Sequence, residues 1–249
     1  MKEAVAGRRE STIEPTVFVA LDVDEPQEAQ AMAESLVGTG LGFKLGPRLM
    51  LREGASLVRG IAKHGPVFID CKHLDIPSTM EAAIRAGFAL GAQYSTIHAL
   101  AGPEAMARLA KVEAELNEER AFRILTVTVL TSFSSETLPY ALRGTDIGEL
   151  ALGLAKEAYA AGLKSFVCSP HEAARLRKAM PDAFLVTPGI RPTGSSKADQ
   201  VRVETPSAAA QAGASALVVG RPILEASDRR LAALAIAKEF AENITRARI

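Results

Sequence analysis

From Thr16 onward the chain alternates short apolar runs, rich in β-branched residues, with alanine-rich segments of helical periodicity, and it does so eight times. The apolar runs fall at 17–21, 41–45, 67–71, 94–98, 124–129, 165–168, 184–187 and 216–219. Most are continuous in hydropathy rather than alternating, which marks strands covered on both faces, as in a parallel sheet. The segments between them predict helices over 25–36, 48–63, 78–90, 103–116, 147–161, 171–180, 206–212 and 223–244. A regular strand–helix alternation dictates an α/β fold. Eight repeats with no Pro/Ser-rich linker favour closure into a single (β/α)8, or TIM, barrel over an open doubly wound sheet. A chain of 249 residues fits one such domain. Residues 16–249 are expected to form the catalytic barrel, preceded by a polar, flexible leader over 1–15.

Charge narrows the class of partner. Lys and Arg together number 29, as do Asp and Glu. The formal charge is therefore zero, and nothing suggests a surface for nucleic acid; any anion site must be local. The leader lacks the apolar core of a signal peptide, and no apolar run approaches membrane-spanning length. Cys71 and Cys168 lie far apart and form no C-x-x-C pair, so they are expected to be packed, reduced thiols. These features point to a cytoplasmic protein with no membrane partner. Metal-ligand clusters of recognisable spacing are absent from the sequence, so no metal is expected.

Several charges interrupt the apolar runs. Asp22 follows strand one, Lys44 lies inside strand two, Asp70 and Lys72 close strand three, and Asp75 follows in the loop. An unpaired charge at such a position is costly, and the carboxyl ends of the strands are where barrel enzymes carry their sites. Asp70 and Lys72 are two apart, so on a regular strand they face the same side. An ammonium held among carboxylates can stabilise a developing carbanion and then protonate it. By contrast, His98 alone at the end of strand four reads as structural.

A second constellation lies further on. The segment Val218-Val219-Gly220-Arg221-Pro222 runs from a strand through a turn into a helix, where Gly220 admits close backbone approach and Arg221 offers a planar fork. The loop Pro188-Gly189-Ile190-Arg191-Pro192-Thr193-Gly194-Ser195-Ser196 precedes it. Loops after strands seven and eight are the common phosphate site of these barrels. The two longest connections, over 131–145 and 188–205, both fall on this end.

Taken together, Val19-Ala20-Leu21-Asp22, Phe43-Lys44-Leu45-Gly46, Asp70-Cys71-Lys72-His73-Leu74-Asp75-Ile76-Pro77-Ser78-Thr79, Val127-Thr128-Val129-Leu130-Thr131-Ser132, Pro188-Gly189-Ile190-Arg191-Pro192, Asp199-Gln200 and Val219-Gly220-Arg221-Pro222 resemble the orotidine 5'-monophosphate decarboxylase family, from about Val17 to Asp228. The resemblance implies roles. Lys72 would donate the proton to C6 of the pyrimidine, and Asp70 would sit against the substrate carboxylate. Lys44 and Asp75 would complete a charged array, Asp22 and Thr79 would hold the ribose, and Thr131 and Ser132 would meet the pyrimidine. Pro188, Arg191, Gln200, Gly220 and Arg221 would surround the phosphate. It further implies a homodimer in which Asp75 and Thr79 reach the partner's site, and no metal or organic cofactor. The family pattern places His directly before the second Asp; here His73 is one place earlier and Leu74 precedes Asp75. Ser78 stands where Asn is common and Cys71 where Leu is common.

Two rivals share parts of this pattern. Related barrels acting on sugar phosphates, such as keto-gulonate phosphate decarboxylases and hexulose-phosphate synthases, use magnesium held by added carboxylates. No Glu stands near the end of strand two here, where Phe43-Lys44-Leu45-Gly46 is found. A catalytically silent nucleotide-binding barrel is the other, and it would have no use for a charged array.

Overall fold

The computed structural model describes residues 16–192 and 204–247. Eight parallel strands close into a barrel in sequence order: β1 (Val17–Ala20), β2 (Gly42–Leu45), β3 (Val67–His73), β4 (Tyr94–His98), β5 (Arg123–Val127), β6 (Ser165–Val167), β7 (Phe184–Thr187) and β8 (Ala216–Val219). Closure is visible at β1, where Phe18 pairs with Gly42 of β2 on one side and Val218 of β8 on the other. The barrel expected from the eightfold alternation is therefore the fold.

The helices are α1 (Pro26–Ser35), α2 (Pro47–Ile61), α3 (Pro77–Ala89), α4 (Gly102–Glu119), α5 (Ile147–Ala160), α6 (Pro170–Ala179), α7 (Pro206–Gln211), α8 (Arg221–Leu224) and α9 (Arg229–Ala247). Pro26, Pro47, Pro77, Pro170 and Pro206 open five of them. Proline suits the first turn because its φ is already helical and its missing N–H would have had no partner there. Among the described residues, no helix is long and apolar enough to cross a membrane.

The C-terminal region corrects one expectation. A single helix over 223–244 was implied by hydropathy, but the chain breaks after Leu224 and restarts at Arg229. Asp228 explains the restart: its side chain accepts a hydrogen bond from the Leu231 N–H at 2.8 Å, capping α9.

Burial divides the core in three. Two clusters fill the space between sheet and helices, on opposite sides of the barrel. The third lies within the barrel and comprises Phe18, Phe68, Tyr94, Leu125, Val127, Val167, Val186 and Ala216. The Phe18 ring meets Phe68 and Tyr94 edge-on, at centroid distances of 5.3 and 4.9 Å, and Tyr94 stacks on Phe184 at 6.4 Å. Arg123 covers the Phe184 ring at 4.7 Å. This aromatic floor fills the lower barrel and leaves the cavity at the carboxyl end of the strands.

Candidate active site

β1, β2 and β3 lie side by side, and their carboxyl ends deliver the first charges. Lys44, buried on β2, places its ammonium 2.9 Å from Asp22 Oδ1 and 3.6 Å from Asp70 Oδ2. The Lys72 ammonium donates to both oxygens of Asp70, at 2.9 Å each. Asp22, Lys44, Asp70 and Lys72 thus form a row of alternating sign, and all four line one cavity of about 490 Å³. Each buried charge has an opposite neighbour, which is the condition for keeping charges in such a place.

The route by which Asp70 and Lys72 come to face the cavity differs from a regular strand. Ile69 pairs with Ser95 and His73 with Ile97, so Asp70, Cys71 and Lys72 stand opposite the single residue Thr96. Lys72 has φ of 48°, the one positive value at a non-glycine residue among those described. The ladder is interrupted here, and the Lys72 N–H donates instead to Thr96 Oγ1 at 2.8 Å. The Thr96 hydroxyl donates in turn to Asp70 Oδ1 at 3.0 Å. Thr96 was not singled out from sequence, because a threonine inside an apolar strand carries no mark that separates it from core.

The opposite wall comes from β7 and β8. Pro188, Gly189, Ile190, Arg191, Gly220, Arg221, Pro222 and Leu224 line the same cavity. Arg191 is only 8% exposed, and its Nε has no hydrogen-bond partner among the described residues. Arg191 also lines the cavity, where a guanidinium is suited to an anion. The base of the β7 loop is pinned: the Arg191 N–H donates to the Glu204 carbonyl at 2.9 Å, and the Glu204 N–H to the Gly189 carbonyl at 3.1 Å. Since α8 has four residues, its N-terminus supplies little dipole. Anion attraction on this wall falls to the two arginines.

Thr131 lines the cavity, whereas Ser132 is exposed and does not. Asp75 and Thr79 are exposed and stand outside it; Asp75 Oδ1 accepts from the adjacent Ile76 N–H at 2.6 Å. The structure therefore joins Asp22, Lys44, Asp70, Lys72, Thr131, Pro188, Arg191, Gly220 and Arg221, and leaves Asp75, Thr79 and Ser132 apart. Gln200, the 1–15 leader and the 193–203 part of the β7 loop lie outside the described residues. Arg48 is a cavity-lining cation that sequence reasoning missed; it pairs with Asp24 at 2.9 Å at the mouth. Its position two residues after Gly46, beside strand two's end, was the available signal.

Both cysteines are free thiols, Cys168 buried and Cys71 partly so. Burial pushes Cys71 up, helped by the Asp70 carboxylate, and burial pushes Cys168 up strongly. Burial, and then the nearby Lys72 charge, lower the His98 pKa, and its Nδ1 accepts from the Leu100 N–H at 3.3 Å. Among the described residues there is no cluster of three His, Cys, Asp or Glu side chains placed to hold a metal.

A closed parallel barrel with a charged cavity at the carboxyl ends of its strands is the build of a (β/α)8-barrel enzyme. The model of the orotidine 5'-phosphate decarboxylase / HUMPS family matches residues 15–236, and the chain belongs to that family. It is 42% identical over 229 residues to orotidine 5'-phosphate decarboxylase of Rhodopseudomonas palustris strain BisB5, covering 91% of this chain and 94% of the relative. The counterpart from Trichlorobacter lovleyi is 38% identical over 231 residues, covering 92% and 96% of the two chains. Among solved structures, orotidine 5'-phosphate decarboxylase from Lactobacillus acidophilus superposes with a TM-score of 0.79 at 33% identity, over 92% of this chain and 99% of that one. The chain is accordingly an enzyme of the carboxy-lyase class.

Proposed function

We propose that this enzyme converts orotidine 5'-monophosphate to UMP and carbon dioxide, the last step of de novo pyrimidine nucleotide synthesis, with Lys72 as proton donor and with no metal or organic cofactor. The observation that carries the proposal is the position of the Lys72 ammonium, 2.9 Å from both Asp70 oxygens in a cavity whose far wall holds Arg191 and Arg221.

In this reading the phosphate takes the arginine wall and the orotate ring lies over Lys72, near Thr131. The substrate carboxylate is then forced against Asp70, and like charges at contact raise the energy of the bound substrate. Cleavage of the C6–carboxylate bond leaves the electron pair on C6. Lys72 stabilises that charge and passes a proton from Nζ to C6, and solvent restores the proton to Nζ. Lys44 bridges Asp22 and Asp70, so an ammonium already neutralises the carboxylates that a divalent ion would otherwise draw on. That supports the nucleotide reading over the magnesium-dependent sugar-phosphate one. A nucleotide substrate of this pathway carries a cytoplasmic location with it.

The proposal includes a homodimer. Asp75 and Thr79 face solvent in one protomer, and Leu74 and Ile76 beside Asp75 are 56% and 62% exposed. Burying that apolar pair against a second copy would carry Asp75 of the partner subunit toward the Lys72 array.

The test is the ultraviolet absorbance of orotidine 5'-monophosphate mixed with purified protein in EDTA. Loss of the orotate band with stoichiometric UMP is the expected result. A flat trace with UMP still bound would leave a silent binder in its place, and turnover of a sugar phosphate restored by magnesium would put the chain on the other branch.

A further inference from the structure

We infer that Thr96 is a positioning residue for the reaction, holding Asp70 and Lys72 in register through a single hydroxyl. The inference rests on the decarboxylase reading for its kinetic consequence, though not for its geometry. Three residues of β3 face Thr96 alone, because the register advances from Ile69 to His73 on one strand and from Ser95 to Ile97 on the other. A bulge of this kind breaks the backbone ladder and re-aims side chains. Without a substitute partner the Lys72 N–H would be left unpaired, and Lys72 would have no reason to hold the left-handed conformation that a lysine seldom adopts.

Thr96 is fully buried and supplies that substitute. Its oxygen accepts from the Lys72 N–H at 2.8 Å, and its proton goes to Asp70 Oδ1 at 3.0 Å. One hydroxyl therefore fixes the backbone of the ammonium-bearing residue and the direction of the carboxylate that the ammonium meets. Thr96 touches neither cavity nor substrate wall, so its effect must pass through Asp70 and Lys72.

The experiment compares native protein with Thr96→Val, which keeps the shape and removes the hydroxyl, and Thr96→Ser, which keeps the hydroxyl. Turnover of orotidine 5'-monophosphate, UMP affinity and amide hydrogen exchange at Lys72 are read for each. Thr96→Val should lower kcat by about 10- to 100-fold, leave UMP affinity within about threefold because the phosphate wall is untouched, and speed exchange at Lys72. Thr96→Ser should recover most of the native kcat. A Thr96→Val enzyme with native kcat, or a Thr96→Ser enzyme as impaired as Thr96→Val, would overturn the inference. If native protein fails on this substrate, the functional reading falls alone; exchange at Lys72 still decides the positioning role, which an unchanged rate in Thr96→Val would refute. Should Thr96→Val not fold, Thr96→Ser against Thr96→Ala makes the same comparison.

Discussion

The ammonium of Lys72 meets Asp70 through both carboxylate oxygens, at 2.9 Å each. Asp70 is held from two further directions, by the Thr96 hydroxyl on Oδ1 at 3.0 Å and by the Lys44 ammonium 3.6 Å from Oδ2. Removing Lys72 takes away the proposed proton donor and one of the two ammonium groups that hold Asp70. Lys72→Ala is expected to lower kcat by at least 10³-fold, given that general acids contribute about 10²- to 10⁴-fold before their electrostatic effect is added. Circular dichroism should show an unchanged fold. Substantial residual turnover of orotidine 5'-monophosphate would sink the proton-donor assignment.

Arg191 offers a cleaner probe of the anion wall than Arg221, because its Nε has no partner among the described residues. Arg191→Ala should weaken UMP binding by about 10- to 100-fold, the range for a lost charge-assisted contact of roughly 1.5–3 kcal/mol. Uridine, which lacks the phosphate, should bind both proteins alike. Titration calorimetry with the two ligands checks it; equal loss for both would move Arg191 away from the phosphate.

Glu113 makes stability depend on pH. It lies on α4, and its Oε1 accepts from the Ile124 N–H of β5 at 2.6 Å. Burial pushes its carboxyl from an ordinary 4.5 up to about 7, against the pull of that N–H and of Arg123. The folded state keeps a proton that the unfolded chain has released, so stability falls as pH rises from about 4.5 to about 7 and then levels. Glu113→Gln keeps an acceptor for Ile124 and removes the titration. It should be more stable than native at pH 8 by on the order of 1–3 kcal/mol, and no more stable at pH 4. Denaturant unfolding at the two pH values decides, and a constant difference between the proteins would exclude Glu113 as the source.

A site shared between subunits predicts complementation. Lys72→Ala and Asp75→Asn should each be nearly inactive alone. Mixed and allowed to exchange, they form hybrids in which one site has a native Lys72 and a native Asp75 of the partner subunit. Statistical exchange gives about a quarter of native activity for a closed two-fold dimer. No recovery, with exchange demonstrated by native mass spectrometry, would place Asp75 outside the partner's site.

Much of this was legible in the chain itself, for identifiable reasons. Strands covered on both faces write continuous apolar runs, and Asp22, Lys44, Asp70 and Lys72 stood out because a charge inside such a run has to be paired. What escaped notice lacked a contrast of that kind. Thr96 looks like strand filler, and the Lys72 bulge is invisible because no glycine marks the positive φ. Arg48 reads as an ordinary helix-surface cation until the fold turns α2's first turn toward the cavity. Asp75 and Thr79 were assigned by resemblance, and both are exposed and stand outside the cavity. The break between α8 and α9 was signalled by Asp228, whose side chain caps the second helix.

The packed rings of Phe18, Phe68, Tyr94 and Phe184 turn the barrel from a pipe into a cup. A pipe could admit a nucleotide at one end and vent gas at the other. A cup has one doorway, so carbon dioxide released in the cavity must leave past the same rim by which the nucleotide came in. Whatever covers that rim while the phosphate is held sets the traffic in both directions.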